Sequence, residues 1–341
     1  MSEANGSAPR GQAGPLPLDA LAAHWWAALD AAQAALRAAG LSLSAQELGE
    51  RGRRLSEERG ETVQLLEGLA HELHTHSRLV DWVATPSISG RMLGLPGEIV
   101  ACVFDLDGVL AASADVHAAA WNDALDPFLL ERAERTHRPF IPFDRAREYD
   151  ALVAGKPRLD GARAFLTSRG ISLPEGSPDD PPDAETVYGL ANHKNQALKR
   201  HLDREGVAGF QGSRYYLEAA RILGLHRAVV SASANTAAIL ERAGLAHLIE
   251  ERVDGNTIRV EHLRTKPAPD TLLAACAHLG VQPDQVAVFE TTPAGITAAR
   301  NAGVKLAVGV SRNGQTDALR GSDADLVIGD LAELLDRKVA V

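Results

Sequence analysis

Short runs of consecutive apolar residues recur through the C-terminal part of the chain: IVACVF (99–104), RAVVSA (227–232), VAVFE (286–290), LAVGV (306–310) and DLVIG (325–329). Each is followed by a turn or by a segment whose apolar positions return every three or four residues. Strands covered on both faces read as continuous apolar runs, so this alternation predicts an α/β fold: a doubly wound parallel sheet with helices on both sides. The first two runs lie too far apart for one crossover. Between them stand three helical patterns, VHAAAWNDALDPFLLERA, DGARAFLTSRG and AETVYGLANHKNQALKRHLD, and a loop-forming PEGSPDDPPD. The spacing predicts a helical cap inserted over 113–208, with the core built from 98–112 and 209–341.

Ahead of the core, LDALAAHWWAALDAAQAALRAAG and SAQELGERGRRLSEERGETVQLLEGLAHELHTH also carry helical spacing. They predict an N-terminal helical arm over 17–97, preceded by a flexible tail at 1–16 and ending in the Gly/Pro-punctuated SISGRMLGLPGE. Ser44 and Glu47 have the spacing of a capping box. His24, Trp25 and Trp26 give the arm a bulky apolar patch, to be buried within the arm, in a homodimer or against a protein partner.

Composition narrows the choice of function. The 341 residues are 45% hydrophobic and 23% charged, with a formal charge of −10, which argues against a nucleic-acid backbone as partner. No apolar run approaches the roughly 20 residues of a membrane span. The N-terminus lacks the apolar centre of a signal peptide. Cys102 and Cys276 sit inside apolar runs and are expected as buried free thiols, in keeping with a cytoplasmic setting.

In an open α/β sheet, ligands bind at the carboxyl ends of the strands. The first run ends in Asp105 and Asp107, two carboxylates that repel unless a cation or proton lies between them. An Asp-Gly turn alone accounts for Asp107 and Gly108. The second run ends in Ser231, Ser233 and Asn235, hydroxyl and amide groups suited to phosphate oxygens or to capping the next helix. Lys266 precedes Pro267, which biases it to an extended backbone, while Asp270 or Thr271 is placed to cap the helix TLLAACAHLG. The third run ends in Glu290, followed by Thr291 and Thr292. Thr292 precedes Pro293 and reads as a helix cap.

This ordered set, FDLDGVL (104–110), SASAN (231–235), Lys266-Pro267 and FETTPAGITAARNAG (289–303), resembles the haloacid dehalogenase superfamily. HAAAW (117–121), GKPR (155–158) and HKN (193–195) resemble the cap of its β-phosphoglucomutase-like members. The resemblance implies that Asp105 attacks phosphorus, that Asp107 serves as acid and base with His117 positioning it, and that Ser231 and Lys266 hold the phosphoryl oxygens. It implies Mg²⁺ held by Asp105, the Asp107 carbonyl, Glu290 and position 291. It implies a distal phosphate grip by Arg158, Ser233 and Asn235, with Lys194 reaching sugar hydroxyls. The expected substrate is a small phosphorylated sugar, handled by a mutase or a related phosphatase. A member that binds without turnover is the contrasting reading.

Three positions depart from the family pattern. Thr291 stands where the family places a second carboxylate, which predicts weaker Mg²⁺ binding. Ala112 replaces a common acid, and Ala234 replaces a lysine that close mutases set against the distal phosphate.

Overall fold

The computed structural model describes residues 93–312 and 314–335. The expected tail, most of the arm, its tryptophans and its surface for a homodimer or partner lie outside these residues. Among the described residues six parallel strands form one sheet: β1 (Ala101–Asp105), β2 (His226–Val230), β3 (Glu251–Val253), β4 (Val286–Glu290), β5 (Leu306–Val310) and β6 (Leu326–Ile328), in the order β3-β2-β1-β4-β5-β6. Five were expected from apolar runs. The sixth, β3, has two charged residues out of three and buries only Val253, so pairing with β2 rather than hydrophobicity defines it.

The cap helices are α1 (Ala114–Thr136), α2 (Arg158–Ser168) and α3 (Val187–Glu205). They enclose their own apolar cluster, including Trp121, Leu125, Phe143, Phe165 and Leu190. Gly161 lets α2 approach α1 closely, since a Cβ there would lie 2.9 Å from the Trp121 ring. The core continues with α4 (Gln211–Ile222), α5 (Thr236–Arg242), α6 (Gly255–Val260), α7 (Asp270–Leu279), α8 (Pro293–Ala302), α9 (Thr316–Arg320) and α10 (Ala332–Leu335).

Alternation along β1 and β4 sets the aim of the strand ends. Phe104 and Phe289 are register partners, stack at 4.7 Å, and meet Tyr216 edge-on on one face of the sheet. Ala101, Val103, Val286 and Val288 face the other side, beneath α7 and α8. Asp105 and Glu290, one residue beyond the paired phenylalanines, therefore turn toward the α7 side, where Lys266 enters. Leu93 and Leu95, expected at the end of the arm, are fully buried in the core, and the Tyr216 hydroxyl donates to the Leu93 carbonyl at 3.2 Å.

Helix starts followed expectation unevenly. Thr292 caps α8, accepting from the Gly295 N–H at 3.0 Å, with Pro293 in the first position. Neither Asp270 nor Thr271 caps α7: the N-cap is Pro269, and Asp270 instead accepts from the Arg264 backbone and guanidinium. Asn235 stands at the N-cap of α5 without a side-chain cap bond; Ser233 Oγ accepts from the Asn235 N–H at 3.2 Å. Both cysteines are free and buried, and burial pushes the Cys102 thiol up to about 12. Among the described residues no helix is long and apolar enough to cross a membrane.

Candidate active site

The carboxyl ends of β1, β2 and β4 open into a cavity of about 830 Å³ beneath the cap. Asp105, the last residue of β1, is buried. Its Oδ1 accepts from Lys266 Nζ at 2.9 Å, and the same ammonium lies 2.5 Å from Glu290 Oε1. One lysine thus compensates two buried carboxylates from adjacent strands. Burial pushes the Asp105 and Glu290 carboxyls up, and Lys266 pulls against that on both. Burial also works against the Lys266 ammonium, but the two carboxylates outweigh it and hold its proton well above the lysine range. Glu290 depends on a gap in α8: a Cβ on Gly295 would lie 2.0 Å from Glu290 Oε2.

The chain turns sharply after Asp107. Gly108 has φ +81°, and a Cβ there would lie 3.1 Å from the Thr291 methyl, so glycine meets both the left-handed turn and the close approach. The turn separates the carbonyl of Asp107 from its carboxylate. Its carbonyl faces Thr291 Oγ1 at 3.3 Å. Its carboxylate accepts a short hydrogen bond from Ser113 Oγ. Burial raises the Asp107 carboxyl, with Ser113 acting in the opposite sense.

Sequence reading missed Ser113. A serine before a helix signals an N-cap, but Ser113 makes no cap bond here, and its hydroxyl serves Asp107 instead. His117, one turn into α1, presents Nε2 to Asp107 Oδ1 at 3.7 Å. Its Nδ1 lies 3.0 Å from Lys194 Nζ. With the lysine donating to Nδ1, the ring proton sits on Nε2, the atom facing Asp107. Burial, then Lys194, lowers His117 well below its ordinary value, which keeps the ring neutral.

The candidate metal ligands divide. Thr291 Oγ1 lies 3.4 Å from Asp105 Oδ2 as well as 3.3 Å from the Asp107 carbonyl. Glu290 faces Lys266 and the Asp107 carboxylate faces Ser113, and among the described residues no three His, Cys, Asp or Glu side chains form a metal-binding group. One carboxylate, one carbonyl and one hydroxyl remain. All are hard oxygen donors, a set that fits Mg²⁺ when waters and a substrate phosphate complete its shell.

A family model described as haloacid dehalogenase-like hydrolase matches residues 99–303, from β1 through the cap to the end of α8. The chain belongs to the haloacid dehalogenase-like hydrolases. It is 51% identical over 253 residues to a beta-phosphoglucomutase of Mycobacterium bovis, an alignment covering 73% of this chain and 97% of the relative. It is 27% identical over 212 residues to a fructose-1-phosphate phosphatase of Escherichia coli, covering 59% of this chain and 92% of that one. A crystal structure of beta-phosphoglucomutase from Clostridium difficile superposes with a TM-score of 0.56 at 24% identity, covering 69% of this chain and 93% of that one, and supports the fold.

As a haloacid dehalogenase-like hydrolase, the chain is an enzyme, and its cavity is suited to anions. Seven lysines and arginines line it against four aspartates, on a chain of net charge −10. Ser231, Ser233, Asn235, Arg158 and Lys194 all reach it. Asn235 Nδ2 donates to Asn195 Oδ1 on α3 at 2.9 Å, a core-to-cap bond that makes Asn195 a further site residue. The Arg158 Nε is buried without a hydrogen-bond partner. Burial, then Arg259, lowers the Arg158 guanidinium.

Lys194 carries a testable consequence. It is buried, 5.5 Å over the Trp121 ring, and burial lowers it to about 7 despite the Asp107 carboxylate. An unfolded lysine titrates near 10.4, so between pH about 7 and 10 the unfolded chain binds more protons and stability rises with pH. Below that window the cost of burying the charge is fully present. Lys194→Met is therefore expected to be more stable than the parent at pH 6, on the order of a few kcal/mol, with the gap closing toward pH 10. Denaturant midpoints across this range check it; a gap independent of pH would contradict a buried, depressed ammonium.

Proposed function

We propose that the protein transfers a phosphoryl group to and from a small sugar phosphate through Asp105, as a mutase of the beta-phosphoglucomutase type. The observation that carries this reading is the convergence of Asp105, Asp107, Ser231 and Lys266 on one cation-rich cavity under the cap. Asp105 attacks phosphorus, the bond from phosphorus to the leaving oxygen breaks, and Asp107 gives that oxygen its proton. A carboxyl raised by burial suits the acid role, and Ser113 and His117 hold it near the leaving group. In the second half, Asp107 takes the proton from the incoming sugar hydroxyl, which attacks the phosphoaspartate. Lys266 steadies Asp105 and meets the phosphoryl oxygens, with Ser231 beside it at the end of β2. Arg158, with Ser233 and Asn235, grips a second phosphate, as a bisphosphate intermediate requires. Lys194 binds sugar hydroxyls. Cytoplasmic residence belongs to the same proposal and is supported by the two buried thiols.

Asp105, the Asp107 carbonyl and Thr291 would hold Mg²⁺, with Glu290 behind them. When bound, the ion offsets negative charge developing on the transferring phosphoryl group. Thr291→Asp adds a carboxylate where Thr291 Oγ1 meets two other oxygens. It is expected to tighten Mg²⁺ binding on the order of tenfold by titration calorimetry. An unchanged affinity would remove Thr291 from the ion's surroundings.

The assay that tests the function is phosphorus NMR on a panel of sugar phosphates, with and without Mg²⁺ and a bisphosphate primer. Primer-dependent interconversion with little inorganic phosphate is the expected result. Stoichiometric phosphate release makes the protein a phosphatase, and no turnover of any substrate contradicts the proposal.

A further inference from the structure

Arg312 lies just past β5, outside every motif singled out in the sequence, and is half-buried at the wall of the cavity. Its Nε donates to the Gly108 carbonyl at 2.8 Å. Its Nη2 reaches Ser213 Oγ at 3.3 Å and the Val109 carbonyl at 3.5 Å. Its Nη1 pairs with Asp330 at 2.6 Å, and the guanidinium plane lies 3.7 Å over the Phe210 ring. Nε, Nη1 and Nη2 are all engaged and the guanidinium also lies over a ring, so the side chain is held in place.

The held segment matters. Gly108 follows Asp107, and the Asp107 carbonyl faces Thr291 in the core. The Asp107 carboxylate is tied to Ser113, at the root of the cap helix α1. Asp107 is thus pulled from two sides, by the cap through its side chain and by the core through its backbone. Phe210 belongs to the second cap connection, whose N–H donates to the Leu110 carbonyl at 2.9 Å, while the Ala112 N–H donates to the Ala208 carbonyl at 2.9 Å. Arg312 therefore braces the turn after Asp107 and the cap connection beside it at the same point.

We propose that Arg312 is a positioning residue for phosphoryl transfer, pinning the Gly108 carbonyl so that the Asp107 backbone stays fixed in the core while its carboxylate follows the cap. The inference rests on the role given to Asp107 above. A planar fork with several donors is required, because a lysine ammonium is a point charge that can keep the Asp330 pair but cannot span Gly108, Val109 and Ser213 together.

The test uses Arg312→Lys in the full chain, with Arg312→Ala as the stronger variant, and two readouts. The first is hydrogen exchange by mass spectrometry over residues 106–112, which needs no turnover. Faster exchange there, with the amides of β2 and β4 unchanged, is expected in Arg312→Lys. The second is steady-state kinetics on the active sugar phosphate: kcat is expected to fall about 100-fold with KM nearly unchanged, as for a small misplacement of a reacting group. A rise in KM at constant kcat would make Arg312 a substrate-binding group and overturn the proposal. Unchanged exchange over 106–112 would overturn it as well. If the parent protein transfers no phosphoryl group, the proposed function fails on its own, and the exchange result still decides whether Arg312 pins the turn.

Discussion

Asp105→Asn is expected to abolish turnover, lowering kcat on the order of 10⁴-fold or more, while leaving the fold and phosphosugar binding intact. The substitution is nearly isosteric. The amide oxygen can still accept from Lys266, which keeps Glu290 as its second partner at 2.5 Å. What is lost is the anionic oxygen to which the proposal assigns the attack on phosphorus. No neighbouring group replaces it: Glu290 is turned to Lys266 under Gly295, and the Asp107 carboxylate is held by Ser113. Binding by calorimetry beside turnover by phosphorus NMR separates the two effects. A variant that keeps even a hundredth of the parent kcat would place the nucleophile elsewhere.

Lys266→Met is expected to give the largest loss of stability of any substitution at the site. Lys266 is the cation shared by Asp105 and Glu290, and both are buried. Its removal leaves two carboxylates facing each other without compensation, a situation that costs about 3–5 kcal/mol. The sign of the pH dependence follows from burial, which already pushes Glu290 up to about 8 with the lysine present. Without Lys266 both carboxyls titrate higher still in the folded state than in the unfolded chain. The folded state then binds more protons, so stability is present at low pH and is lost as pH rises through the folded values. The deficit of Lys266→Met is therefore expected to shrink on acidification from pH about 8 to about 6. Chemical denaturation at the two pH values reads this; a deficit constant with pH would mean that the carboxylates do not take up the missing charge.

The strand ends were legible because the sheet is built from runs that must be apolar on both faces, so the first polar residue after each run marks a strand's carboxyl end. Asp105 and Glu290 were found in this way, and the Thr292 cap was legible from Pro293 after it. β3 was not, because Glu251 and Arg252 project charge and only Val253 is buried. Ser113 and Arg312 were hidden for a different reason, as was the partner of Asn195. Each reaches a residue that folding brings near, Asp107, Gly108 and Asn235 respectively, and nothing in local pattern marks such a meeting. The cap on α7 was misread because Asp270 had a competing partner in Arg264. Thr291 was legible as a departure, but its contact with both Asp105 and the Asp107 carbonyl appears only in three dimensions.

Transfer of a phosphoryl group to Asp105, as proposed above, is read by rapid acid quench of the protein during turnover, followed by peptide mass spectrometry. One phosphoryl group is expected on the peptide containing Asp105, removed by hydroxylamine and absent from Asp105→Asn. Turnover with no phosphorylated peptide, or with the group on another residue, would contradict it.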